Sequence, residues 1–105
     1  MVELLIAYDG RRSRLPNTQR LHMAYFHPEV LVDEDKIELT VTEPELVAKG
    51  ATEDTIVCYR FFIDTPVSGK YLAVVVKLQD GEGFIVTAYF TDGVKRGNII
   101  WRRAS

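Results

Sequence analysis

Three runs in the second half of the chain, 55–63 (TIVCYRFFI), 71–78 (YLAVVVKL) and 83–91 (GFIVTAYFT), are dense in β-branched and aromatic residues and are separated only by DTPVSGK and QDGEG. Such residues suit a pleated, half-buried surface, and both separators have the composition of turns. Connections this short join antiparallel neighbours, so the spacing predicts a three-stranded antiparallel meander. A fourth strand is expected over 98–103 (NIIWRR), after the turn TDGVKRG. Whatever this chain becomes, it is built around a sheet.

A strand shows alternate residues to alternate faces, which sorts each run into two rows. In the third run Phe84, Val86, Ala88 and Phe90 form an apolar row, leaving Ile85, Thr87, Tyr89 and Thr91 opposite. In the second, Leu72, Val74, Val76 and Leu78 face the core, with Tyr71, Ala73, Val75 and Lys77 on the other side. In the first, Val57, Tyr59, Phe61 and Ile63 read as core, which sets Ile56, Cys58, Arg60 and Phe62 opposite. Strict alternation therefore expects Arg60, Lys77, Thr87 and Tyr89 on one face, and a single bulge would reverse part of that set.

The first half is less regular. Residues 2–8 are expected as a strand ending at the Asp9-Gly10 turn, and 17–26 (NTQRLHMAYF) as a helix with Asn17 or Thr18 near its cap. Pro28 disfavours helical backbone at the residue before it, so this helix ends at about Phe26 or His27. Over 33–43 two patterns compete. The acids at Asp33, Glu34 and Asp35 suit a solvated helix start, whereas Ile37, Leu39 and Val41 alternate with Glu38, Thr40 and Thr42 as a strand would. Propensity favours the strand, and Pro44 ends the element in either case.

A chain of 105 residues supports one domain, 1–105, with a genuine core. The apolar run 2–8 is far short of the about 20 residues that span a bilayer, so no membrane insertion is expected. The single cysteine, Cys58, cannot form an internal disulfide, which points to a reducing, cytoplasmic setting. A net charge of −2 argues against strong nonspecific nucleic-acid binding, but the charge is partitioned. Residues 10–27 carry Arg11, Arg12, Arg14 and Arg20 and no acid, and 93–105 carry Lys95, Arg96, Arg102 and Arg103 and no acid. Residues 28–54 hold nine acids against Lys36 and Lys49. Basic blocks that met in space would concentrate a polyanion; blocks held apart would merely solvate the surface.

His22 and His27 are the only histidines, and histidine is the side chain able to move protons both ways near neutral pH. Five residues apart, they are about 140° apart around an ideal helix, so they do not share a face unless the turn before Pro28 redirects His27. Each also has a simple structural reading, as a helix-end imidazole bonded to a carbonyl. No CxxC, HExxH or comparable spacing suggests a metal site. Asp80-Gly81-Glu82-Gly83 lies between two strands, where a hairpin turn rather than a phosphate loop is expected. Tyr71, Tyr89 and Arg60 on a sheet face suit either nucleotide stacking or ordinary cross-strand packing.

The segments Tyr8-Asp9-Gly10-Arg11-Arg12, His22 with His27-Pro28-Glu29, Asp35-Lys36-Ile37 leading to Glu43-Pro44-Glu45, Leu72-Ala73-Val74-Val75-Val76 and Thr87-Ala88-Tyr89 together resemble a bacterial and phage pattern. The chain is similar, over nearly its whole length, to the small domains grouped with barnase, EndoU, colicin-type and RelE-type ribonucleases. The resemblance implies an α+β fold in which one or two N-terminal helices pack on an antiparallel sheet of about four strands, with a helix for 33–43. It implies metal-independent RNA cleavage with no cofactor: a base removes the ribose 2′-hydroxyl proton, that oxygen attacks the adjacent phosphorus, and an acid protonates the departing 5′-oxygen. Carried over by position, His22 or His27 is acid or base, Arg60 neutralises the phosphorane, Thr87 and Tyr89 donate hydrogen bonds, and Arg11, Arg12 and Lys95 hold the RNA backbone. RNA is then the expected partner, and the acidic middle of the chain the expected contact for an antitoxin-like protein or an attached domain. The alternative is a module of the same fold that binds a partner protein or nucleic acid without catalysis.

Overall fold

The three strand-forming runs make the centre of the sheet. In the computed structural model, which describes residues 4–94 and 98–104, they are β4 (Thr55–Phe62), β5 (Lys70–Gln79) and β6 (Glu82–Thr91), paired antiparallel in sequence order. The β5–β6 turn is the two-residue kind, with Asp80 at φ 54° and Gly81 at φ 78°. Both values lie in the left-handed region that the twist of a hairpin demands.

The expectation of about four antiparallel strands is corrected by what flanks this meander. β1 (Leu4–Ile6), β2 (Arg12–Arg14), β3 (Leu46–Lys49) and β7 (Ile99–Arg102) extend it to a seven-stranded sheet of order β1-β2-β6-β5-β4-β3-β7. The sheet is mixed, because β2 pairs parallel to β6 through Ser13–Gly83 and Arg14–Phe84. Gly83 permits that approach: a Cβ there would lie 2.7 Å from the Ser13 hydroxyl and 2.9 Å from Val76 Cγ1. β1 falls within the strand expected over 2–8, while β2 and β3, with three and four residues, are too short for alternation to register. β7 does fall within the expected 98–103, yet it pairs with β3 rather than β6.

Helix α1 (Asn17–Phe26) occupies the expected residues, but Pro16 is its N-cap and no side chain caps it. Its end follows the proline argument: His27 leaves helical geometry at φ −141° and a 3-10 turn runs Pro28–Leu31. The ambiguous segment is helix α2 (Asp35–Thr42), not the strand that propensity favoured. Its buried residues, Lys36, Ile37, Thr40 and Val41, recur at the i, i+4 spacing of a helix face. Ile37 and Val41 satisfy a helix as readily as an alternating strand, which is why the sequence alone left both open.

The sheet has two unlike faces. Ile56, Cys58, Leu72, Val74, Val76, Ile85 and Ala88 pack with Met23, Val30, Ile37 and Val41 from the helical segments. The other face, free of helix, gathers Leu46, Ala48, Val57, Tyr59 and Ala73, with Tyr71, Val75, Tyr89, Val94 and Ile99 at its margin. Both rows of β4 are therefore buried, with none of the four residues from Ile56 to Tyr59 more than 8% exposed. In β6 the register shifts, Val75 pairing with Thr87 and Val76 with Ile85, so Val86 is an extra residue. This bulge puts Ile85 rather than Val86 into the core.

The sheet also curls. Tyr8, just beyond β1, packs its ring on Trp101 of β7 with centroids 4.9 Å apart, although those strands stand at opposite ends of the strand order. α2 lies within the curl, against β1, β4 and β5. Among the described residues no helix is long and apolar enough to cross a membrane.

Candidate active site

Pro28 sets the site's first residue. By breaking α1 it turns His27 away from the helix, and the 3-10 turn that follows brings Glu29 back beside it, with Oε1 3.8 Å from His27 Nδ1. That is ion-pair rather than hydrogen-bond distance, so the carboxylate places negative charge next to a partly exposed imidazole. The ring of Tyr89 lies 6.2 Å from the His27 ring, centroid to centroid. Tyr89 belongs to the margin of the helix-free face, and Thr87, two residues before it, shares that face. The Thr87 hydroxyl is shielded from solvent and has no hydrogen-bond partner. Leaving such a group unpaired is costly, which makes it a candidate to bond something that binds there.

The other expected site residues go elsewhere. His22 stands exposed on α1, its ring 4.8 Å from Phe26, and it does not join His27, as the helical angle requires. Arg60 is corrected most clearly. It pairs with Leu72 on the helix-covered face, the reverse of Thr87 and Tyr89. Its Nη1 donates to the Glu43 carbonyl at 2.5 Å, at the C-terminus of α2, and its guanidinium lies 5.9 Å from the Phe62 ring centre. A cation at that helix end satisfies a terminal carbonyl and complements the dipole, a structural role. The alternation argument failed here because both rows of β4 are buried and neither is a polar row. Lys77 pairs with Thr55 and lies 3.8 Å from Asp54.

Arg11 is held by Asp9, with Nε 3.4 Å from the carboxylate. Arg12 is exposed on β2, which meets β6 at Gly83 and Phe84, so its backbone is roughly 20 Å along the strand direction from Tyr89. These arginines do not reach the His27 site. Lys95 lies outside the described residues. Tyr8, just before the first basic block, packs on Trp101 of the second. Arg12, Arg102 and Arg103 are exposed and form no ion pair with another described residue.

Sequence reasoning did not single out the cavity beside Tyr89. It measures about 480 Å³. Val57, Tyr59, Val75 and Tyr89 give it an apolar floor, and the β3–β4 turn together with Asn98 forms its rim. Thr52 and Thr55, which also line it, are committed to the turn: Thr52 Oγ1 donates to Asp54 at 2.6 Å and Thr55 Oγ1 to the Thr52 carbonyl at 3.0 Å. Gly50 is needed there, since a Cβ would collide with Thr55 Oγ1. The Asn98 amide remains available, because its side chain bonds no other described residue. Lys49 pairs with Ile56, so its side chain points to the helix-covered face. Val57 and Tyr59 read as core from alternation, and the sequence carries no signal that they floor a hollow. Glu29 was also missed, although His27-Pro28-Glu29 is its visible signal.

No protein-family model, no curated protein and no solved structure matches this chain. Among the described residues no group of three or more His, Cys, Asp or Glu side chains is placed to hold a metal ion. Cys58 is no nucleophile as it stands, because burial pushes its thiol up to about 12. His27, Glu29 and Tyr89, with Thr87 and the cavity that Tyr89 lines, form the candidate site.

Proposed function

We propose that this chain cleaves RNA without a metal, at the edge where His27, Glu29 and Tyr89 meet. One observation carries the reading: an imidazole with a carboxylate 3.8 Å from one nitrogen and, 6.2 Å from its ring, a phenol ring that itself lines a cavity. An imidazole so placed takes a 2′-hydroxyl proton as base or returns one to the 5′-oxygen as acid, and Tyr89 supplies the second proton-bearing group. The 2′-oxygen forms a bond to phosphorus as the P–O5′ bond breaks, leaving a 2′,3′-cyclic phosphate and a 5′-hydroxyl. Thr87 offers a hydrogen bond to the phosphorane, and Glu29 orients His27 and balances the imidazolium. Arg60 has no part in this scheme. The exposed Arg12, Arg102 and Arg103 concentrate the polyanion, in keeping with the resemblance to small ribonucleases. A cytoplasmic setting fits both an RNA substrate and the single free thiol.

The test is incubation with single-stranded RNA in chelator, with and without ribosomes. Cleavage to cyclic-phosphate ends is expected, reduced roughly 100-fold or more by His27→Ala and unchanged by His22→Ala. Intact RNA at high protein concentration in both conditions would remove the proposal.

A second reading, a non-catalytic module that binds a partner protein, is favoured by the outer side of α1. Leu21, Tyr25 and Phe26 are 70%, 81% and 60% exposed there, with the Tyr25 and Phe26 rings 4.8 Å apart. Clustered exposed aromatics are the composition of interface hot spots. On this reading Tyr25→Ala abolishes partner binding while His27→Ala leaves it intact.

A further inference from the structure

We infer that the cavity on the helix-free face is a nucleobase subsite, holding the base beside the scissile linkage of single-stranded RNA. The inference rests on the RNA reading and narrows its substrate. A volume of about 480 Å³ lies in the range of small-ligand pockets. Its floor is apolar, and the half-buried Tyr89 ring is a surface on which a base of any identity packs. Tyr89 is at once a wall of this cavity and the neighbour of His27, so a base seated here leaves its own ribose and phosphate next to the imidazole.

The rim supplies the polar complement. The Asn98 amide offers both a donor and an acceptor to a base edge. The unpartnered Thr87 hydroxyl lies on the same face, directly across the strand pair from Val75 of the floor. A nonpolar ligand would satisfy none of these groups. A base inside a duplex cannot enter such a hollow, so the substrate is unpaired at this position.

The experiment separates binding from cleavage by using a fluorescent all-deoxy pentanucleotide, which lacks the attacking hydroxyl. Anisotropy is measured for the parent oligonucleotide and for versions made abasic at each position in turn. Loss of one base weakens binding roughly 10-fold or more, and loss of the others has much less effect. Val75→Trp, which fills the floor, erases that position dependence. Should Val75→Trp fail to fold, Asn98→Ala at an exposed position blunts the same dependence. Equal binding by all abasic versions, or a dependence that these variants leave unchanged, overturns the subsite. Cleavage of RNA by the same preparation alongside a flat abasic series overturns the subsite alone. A position-dependent series without any cleavage supports base capture and overturns the catalytic reading instead.

Discussion

The two faces of the central sheet carry similar side chains and have opposite fates. On one, Leu72, Val74 and Ile85 are sealed beneath α1, α2 and the 3-10 turn, and Arg60 and Lys36, which reach it, are each engaged. Lys36 donates to Asp33 at 3.0 Å and lies 5.6 Å from the Phe62 ring centre. On the other, Val57, Tyr59 and Val75 floor a cavity, and Thr87 holds an unpartnered hydroxyl. Arg60 and Lys36 on the covered face are hydrogen-bonded, whereas the buried Thr87 hydroxyl on the open face is not.

That contrast is easiest to break on the covered face. Leu72→Ala is expected to cost about 2–5 kcal/mol in urea unfolding, because a fully buried side chain would leave a hole under two helices. A cost below about 1 kcal/mol would show that the helices do not clamp this face. A slower loss comes with alkali. Burial pushes both the Cys58 thiol and the Tyr8 phenol up to about 12, from 9.0 and 10.0. Below pH 9 both groups are protonated in the folded and unfolded chains alike, and nothing is lost. Between pH 9 and about 12 the unfolded chain releases protons that the folded chain keeps, so stability falls as pH rises. Cys58→Ala should flatten this decline in melting temperature, and an equally steep decline would remove the assigned cause. The smallest effect is expected on the open face. Thr87→Val replaces an unpaired hydroxyl by a methyl group and should leave stability within about 1 kcal/mol of the parent, or raise it, while RNA cleavage drops. A large destabilisation would mean that the hydroxyl is structural.

How much of this was legible in the sequence depended on length and on which faces are covered. The meander and α1 were, because each carries eight or more residues of consistent pattern. β3 was not, since Leu46–Lys49 is one short apolar run after a proline. The bulge at Val86 left no mark in the sequence, and it exchanged the roles expected of Ile85 and Val86. At the site, His27, Thr87 and Tyr89 were named from sequence, and the structure brings His27 next to Tyr89. Arg60 was assigned to the wrong face because burial of both rows of β4 removes the polar row that alternation depends on. Glu29 and the cavity needed coordinates, as a turn and the pairing of β7 with β3 create them from residues distant in pattern or plain in type.

The packing of Tyr8 on Trp101 has one further consequence. It pins together the two borders of an open sheet through side chains, at a place where backbone pairing has ended. A sheet held in that curl cannot flatten, and it offers no long straight border for another molecule's strand to add to, which is the usual route by which such proteins aggregate.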